Sequence, residues 1–490
     1  MTSSVPLSAT SSTLGIVTAP SDDRAFDLLQ TFVRIESTAT RPDQQALLAH
    51  MIGSWLVTHV NARLIDTPLF EDAPPLIHAV IPRANGDGRN KNHRGKDDDR
   101  DAQTCRRVLL YQMYDVMPAT DAGWLVSPFE GGFAQLDGIG NVYIGRGVEN
   151  NKGPLVAMLL AIEAVVQQQR DIEIEILIEG QEECGSSALR RYLAQTPCPV
   201  APTDVTIFPS LCEYGGGPPR VYLGFSGLCS GELKIHGGAW GGPSAAVHAS
   251  NAAWLDNPLW QLVAVLSVIG PDHGNGILQR IVMPETVMPL LSALAETFDS
   301  AAELRFRSSQ RFSKAVHDLP SDEQLRALLT ALVLNLSEIR TEPLGLVNAI
   351  PSAAMARFDL RMPPGILLDD ALRCLRERID SVAPGEDNVG SVQLTLNDGY
   401  SGYRFEADDF GVQALLDTYV DSGAPAQIWP WAPGCAPAYA FAAVAPAFLI
   451  AGLGRGGNAH GINEFILPDA LRRCQASITD WLIRVADGCA

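Results

Sequence analysis

Two adjacent carboxylates, Glu182 and Glu183, close an apolar run that reads ILIEGQEECGS from Ile176 to Ser186. Neighbouring side chains on a tight turn diverge, so one can face a reacting group while the other faces a ligand or its own support. Carboxylates held close together ionise unequally, and the one with the raised pKa suits general acid–base chemistry. The plainer alternative is a solvated acidic turn. What separates the two is the element that carries the pair, because a hydrophobic strand ending in carboxylates builds a site at the carboxyl edge of a sheet.

The flanking sequence supplies such elements. Helical spacing marks Ala25–Glu36, Asp43–His59 and the long apolar segment Pro154–Gln169. Leu76–Ile81, Arg107–Tyr111, Ile172–Ile178 and Val205–Pro209 read as strands, and Ser186–Gln195 as the helix after the acidic turn. Strands and helices in alternation predict a mainly parallel α/β sheet flanked by helices. From Leu223 the pattern changes. Strands are expected at Ser230–Ile235, Ala353–Asp359 and Gly390–Leu396, and helices at Pro258–Ile269 and Leu368–Val382. That makes a smaller α+β unit of two helices on an antiparallel sheet. Asn275–Gln310 is left as further helices or loops. Helix Phe410–Ser422, strand Ala447–Ala451 and helix Pro468–Ala486 return to α/β. The expected division is therefore a catalytic domain of residues 21–222 and 401–490, interrupted by a lid or dimerisation domain at 223–400. Residues 1–20 read as a disordered leader, and 83–104 as a mobile charged insertion.

The 490 residues carry a net charge of −20, which disfavours nucleic acid or an anionic membrane surface as a partner. No apolar run approaches the ~20 residues of a transmembrane helix. Nine cysteines without paired spacing fit reduced thiols, and a cytoplasmic location is the expectation.

Six strings occur in an ordered series: YDVMPA from Tyr114, WLVSPFE from Trp124, Gly145-Arg146-Gly147 with Lys152-Gly153, EGQEECGS from Glu179, NAIP from Asn348, and HGINE from His460. Together they resemble the di-zinc peptidase family that includes carnosinases, aminoacylases, glutamate carboxypeptidases and succinyl-diaminopimelate desuccinylase, and are most similar to its dipeptidase branch. The resemblance implies two zinc ions sharing a carboxylate and a water, with a Glu as general base. It assigns Glu182 as that base, Glu183 and His460 as ligands, and Asp115 as the carboxylate that orients a first histidine. It also implies a homodimer through the middle domain.

Other positions depart from the pattern. Met113 stands where the first histidine is expected, Asn150 where the bridging Asp is, and Ser210 where a further Asp is. A thioether prefers softer metals, and neither Asn nor Ser brings negative charge. Trp240 and Trp431 stand where a substrate-contacting His and Arg are implied. The expectation is thus a metal-independent enzyme of biosynthesis with no cofactor, zinc at most at low occupancy on Glu183 and His460. Glu182 would act as acid and base, with Glu183, His460 and Asp115 beside it. Asn150, Met113, Ser210, Trp431, Trp240 and Lys152 would line the pocket of a small amino-acid-derived amide undergoing cyclisation, acyl transfer, dehydration or isomerisation. The alternatives are a one-metal amide or dipeptide hydrolase and a non-catalytic homologue that binds a ligand or partner.

Overall fold

A computed structural model describes residues 24–68, 70, 73–83, 106–269, 276–382 and 392–488. The expected leader and all but Arg83 of the charged insertion lie outside these residues. Among them, no helix is long and apolar enough to cross a membrane.

The first sheet has six strands in the order Arg63–Ile65, Ile77–Ile81, Glu173–Glu179, Arg107–Met113, Val205–Pro209, Phe448–Ala451. The last four run parallel, and the first two are added antiparallel at one edge. Strands covered on both faces need apolar side chains at successive positions, which Ile174, Ile176, Leu177 and Ile178 provide. One cover is the helix Lys152–Gln167, buried at nearly every position through Val165 and packed against the helix Ala470–Ala486. An apolar surface around the whole circumference suits an interior helix. Met113 pairs with Glu179 at the carboxyl ends of adjacent parallel strands, so the loops that follow them leave the sheet side by side.

The second sheet is antiparallel, in the order Ile277–Arg280, Ala331–Glu342, Ala353–Met362, Gly224–His236, Val392–Tyr400. The helices Pro258–Ile269 and Leu368–Val382 share its own hydrophobic core, in which Leu262 and Leu375 meet Leu233 and Ala356. Mixed α/β architecture with this α+β portion is as expected. The strand Ala331–Glu342 has no counterpart in the sequence reading. A register shift between Leu336 and Glu338 interrupts its alternation, and with it the period-two signal. Asn275–Gln310 contains a strand, Ile277–Arg280, and the helices Met288–Thr297 and Ser300–Phe306.

A third, small sheet joins Gly132–Leu136, Gly140–Ile144, Phe465–Ile466 and Gly456–Gly457. It anchors the loop from Gly145 to Asn150 beside the segment that carries His460.

Candidate active site

The acidic pair sits on a single 3-10 turn, Glu182–Cys184, directly after the strand Glu173–Glu179. Gly180 permits the exit: a Cβ there would lie 2.3 Å from the Tyr114 ring. The turn is held from below by Asp115, whose two oxygens accept the backbone N–H groups of Glu182 at 3.2 Å and Glu183 at 3.0 Å. Asp115 therefore fixes the loop, a role different from the orientation of a histidine.

Glu183, Asn150 and His460 converge on one point. Asn150 Nδ2 donates to Glu183 Oε1 at 3.0 Å and lies 3.0 Å from His460 Nε2, which is itself 2.9 Å from Glu183 Oε1. The Asn150 loop is placed by Glu464, which is fully buried. Its carboxylate accepts the N–H groups of Gly147 at 3.0 Å, Glu149 at 3.0 Å and Asn150 at 2.9 Å, and pairs with Arg146 at 2.7 Å. Arg146 also donates to the carbonyls of His460 and Gly461, both at 3.2 Å. One ion pair thus ties the Asn150 loop to the His460 loop. Sequence reasoning missed Arg146 and Glu464 as positioning residues, although both lie inside the strings GRG and HGINE.

The electrostatics follow from burying several carboxyls together. Burial, then Glu183, Asp115 and Glu179, raise the Glu182 carboxyl well above its usual range. Burial raises Asp115 likewise, with Glu179 adding to it. Burial pushes Glu149 up to about 8 and Glu179 to about 7. A hydrogen bond to Glu183, with the ring N–H donating, raises the pKa of His460 and favours the imidazolium. Such groups cluster where proton transfer or cation binding takes place.

Near this turn the second sheet contributes Arg361 and Tyr400. Arg361 donates from Nη1 to Cys435 Sγ at 3.5 Å and from Nε to Asp359 at 2.8 Å. Tyr400 and Cys435 each lie within electrostatic reach of both Glu182 and Arg361. Arg190 links the two walls, donating to the carbonyls of Gly185 at 3.3 Å and Gly399 at 3.4 Å.

Several expected pocket residues lie elsewhere. Met113 is 1% exposed and finishes its strand inside the core. Lys152 is 0% exposed, its ammonium donating to the carbonyls of Phe32 at 2.9 Å and Ile35 at 2.6 Å, and burial lowers its pKa to about 7. Trp431 is 1% exposed, with its indole N–H on the Leu329 carbonyl at 3.0 Å. These three have no surface with which to touch a substrate. Trp240 packs against the core of the second sheet and donates to the His236 carbonyl. Ser210 does emerge at the carboxyl end of Val205–Pro209, half-buried, with its N–H on the Ala451 carbonyl. Of the expected residues, Glu183, Asn150 and His460 are brought into direct contact, with Glu182 and Asp115 joined to them through the turn.

Residues 109–484 match the sequence profile of peptidase family M20/M25/M40. The chain belongs to this family. Within it, the chain is 26% identical over 309 residues to the Cys-Gly metallodipeptidase dug1 of Schizosaccharomyces pombe, covering 61% of each chain. It is 24% identical over 319 residues to human Beta-Ala-His dipeptidase, covering 62% of this chain and 59% of that one. The matches thus span about three fifths of the length of these curated relatives. Among solved structures, the M20 family metallo-carboxypeptidase Sso-CP2 from Sulfolobus solfataricus superposes with a TM-score of 0.75 at 21% identity, over 95% of this chain and all of that one. Dug1p from Saccharomyces cerevisiae superposes with a TM-score of 0.74 at 17% identity, over 95% and 96%. The last two show a shared M20 fold.

These relatives correct the expectation of a metal-independent, biosynthetic enzyme without a cofactor, since the curated M20 relatives are named metallodipeptidases and dipeptidases. Cyclisation, acyl transfer, dehydration and isomerisation lose their ground with it. A ligand count taken position by position along the chain overlooked how the loops meet. Among the described residues no three His, Cys, Asp or Glu side chains cluster as a metal site, but the Glu183–His460 pair has an amide as its third neighbour. Amide nitrogen and oxygen are interchangeable in shape, and a half-turn of Asn150 would present Oδ1 at the same point. Carboxylate, imidazole and amide oxygen are donors of the kinds that hold divalent ions.

Proposed function

We propose that the protein hydrolyses a small peptide or related amide, a dipeptide with a free carboxylate in the first instance, with Glu183, His460 and Asn150 holding one divalent metal ion. The observation that carries this reading is the convergence of those three side chains within 3.0 Å of one another, next to Glu182. The relatives' activities as a Cys-Gly metallodipeptidase and a Beta-Ala-His dipeptidase suggest the substrate class. A divalent ion at such a site acidifies a bound water and polarises the scissile carbonyl.

The chain's own groups do the rest. Glu182 takes a proton from the attacking water and returns it to the leaving amine, the two steps of a single acid–base residue. Asp115 keeps Glu182 and Glu183 at a fixed spacing through their backbone N–H groups. Arg361, in electrostatic reach of Tyr400 and Cys435, is the guanidinium we assign to the substrate carboxylate. Metal-free protein supplied with Zn²⁺ or Mn²⁺ should release free amino acids from dipeptides such as Cys-Gly or β-Ala-His. Glu182→Gln should then lose about 10²- to 10⁴-fold in kcat. Absence of hydrolysis with either metal, or full activity in Glu182→Gln, would overturn the reading.

We further assign residues 21–222 and 401–490 to a catalytic domain and 223–400 to an inserted lid that joins two copies as a homodimer. The core shared by the second sheet and its two helices supports the division, while Met283, Val287, Leu291, Leu294, Leu325 and Leu329 pack into the core of the other part. Trp260 and Val263, exposed on the helix Pro258–Ile269, support a covered face. Light scattering at micromolar concentration tests this, and a monomeric mass would remove it.

A further inference from the structure

A second cavity lies apart from the active site, between the helices Ser300–Phe306 and Ser321–Leu329 and the strands Ile277–Arg280 and Ala331–Glu342. Its volume is about 330 Å³. Phe312, Val316, Leu325 and Leu328 supply an apolar lining, while Arg280 and Arg307 stand at its wall.

The charge around this cavity does not balance. Its one carboxylate, Glu303, is buried and already paired with the buried Arg220. Arg307 shares that same carboxylate at 2.9 Å. Arg280 donates Nη1 to the Ala327 carbonyl at 2.6 Å and makes no ion pair among the described residues. Two guanidinium groups, of Arg220 and Arg307, therefore share one carboxylate while Arg280 stands beside them without an ion pair among the described residues, in a chain whose net charge is −20. Arg220 is also enclosed by the rings of Trp429 at 4.9 Å and Tyr214 at 5.4 Å, so it holds Glu303 in place and does not turn outward. The positive charge left over belongs to Arg280 and Arg307.

We propose that this cavity binds a monocarboxylate with a short hydrocarbon tail, the tail against Phe312, Val316, Leu325 and Leu328 and the carboxylate on Arg280 and Arg307. An apolar pocket with a few convergent polar groups is the general form of a small-molecule site. Guanidinium groups match a carboxylate in geometry as well as charge. Octanoate, a saturated acid of eight carbons, combines such a tail with a single carboxylate and serves as the probe.

Isothermal titration calorimetry of the full chain with octanoate, octylamine and acetate tests the proposal. Octanoate should bind with a dissociation constant below about 1 mM, while acetate, lacking the tail, and octylamine, with the opposite charge, should give no saturable heat. Arg280→Ala and Arg307→Ala should each weaken octanoate about tenfold, and Leu328→Asp should abolish binding while circular dichroism stays that of the parent. Arg361→Ala, in the catalytic cleft, should leave the affinity unchanged. The proposal is overturned if octanoate does not bind, if octylamine binds as well, or if only Arg361→Ala weakens binding. None of these outcomes depends on whether the protein is a peptidase.

Discussion

Glu464 accepts the backbone N–H of Asn150 at 2.9 Å with one oxygen and pairs with Arg146 at 2.7 Å with the other. The residue that places the Asn150 loop thus comes from the segment that bears His460. The two loops cannot shift independently while this carboxylate is charged and enclosed.

Glu464→Gln should consequently disturb both loops. An amide can keep only one acceptor and must turn its N–H₂ toward either the guanidinium or the loop N–H groups. Breaking a buried pair this way costs about 3–5 kcal/mol. Urea denaturation should show a midpoint lowered accordingly; a change within error would mean that the loops are held by other contacts.

At Asn150 the expected effect has the opposite sign for metal binding. Asn150→Asp adds a negative charge between Glu183 and His460, and affinity for a divalent ion rises with the charge of its ligands, by roughly tenfold or more. Calorimetric titration of metal-free protein with Zn²⁺ reads this directly. Equal affinity in parent and variant would take residue 150 out of the ligand set.

Glu179 makes stability depend on pH. Its carboxyl is 1% exposed and accepts the Tyr111 hydroxyl at 2.6 Å, and burial lifts its pKa from 4.5 to about 7. Between those values the folded chain binds more protons than the unfolded one, so stability falls as pH rises through the window. Its share is on the order of 3 kcal/mol. Glu179→Gln cannot ionise, so its stability should gain on the parent's from pH 4.5 to pH 7. Parallel stability curves for the two proteins would contradict the burial argument.

Trp431 separates a core residue from a pocket wall. Trp431→Phe loses the hydrogen bond to the Leu329 carbonyl and leaves a small void, for a loss of about 1–3 kcal/mol. The KM of any dipeptide turned over should stay the same. A severalfold rise in KM at unchanged stability would return Trp431 to the substrate pocket.

Much of the fold is legible along the chain, because burial on both faces of a parallel strand and the 3.6-residue helical repeat are local properties. Val205–Pro209, Pro258–Ile269 and Leu368–Val382 occupy the predicted ranges. The strand Ala331–Glu342 escapes because its bulge breaks the repeat on which detection relies. The acidic turn is legible too, since Glu182 and Glu183 are neighbours at the end of an apolar strand. Lys152 and Trp431, by contrast, look polar or ligand-facing in a string of letters. Their burial depends on the carbonyls of Phe32, Ile35 and Leu329, which no local pattern announces.

The sequence by itself determined the α/β frame, the acidic turn and the ordered motifs of the family. The tertiary structure decided which side chains share a point. Asn150 lies 33 residues before Glu183 and 310 before His460, and only the meeting of three loops at one sheet edge sets them 3.0 Å apart. Whether donors can hold an ion depends on distances in space, and separation along the chain carries no information about them.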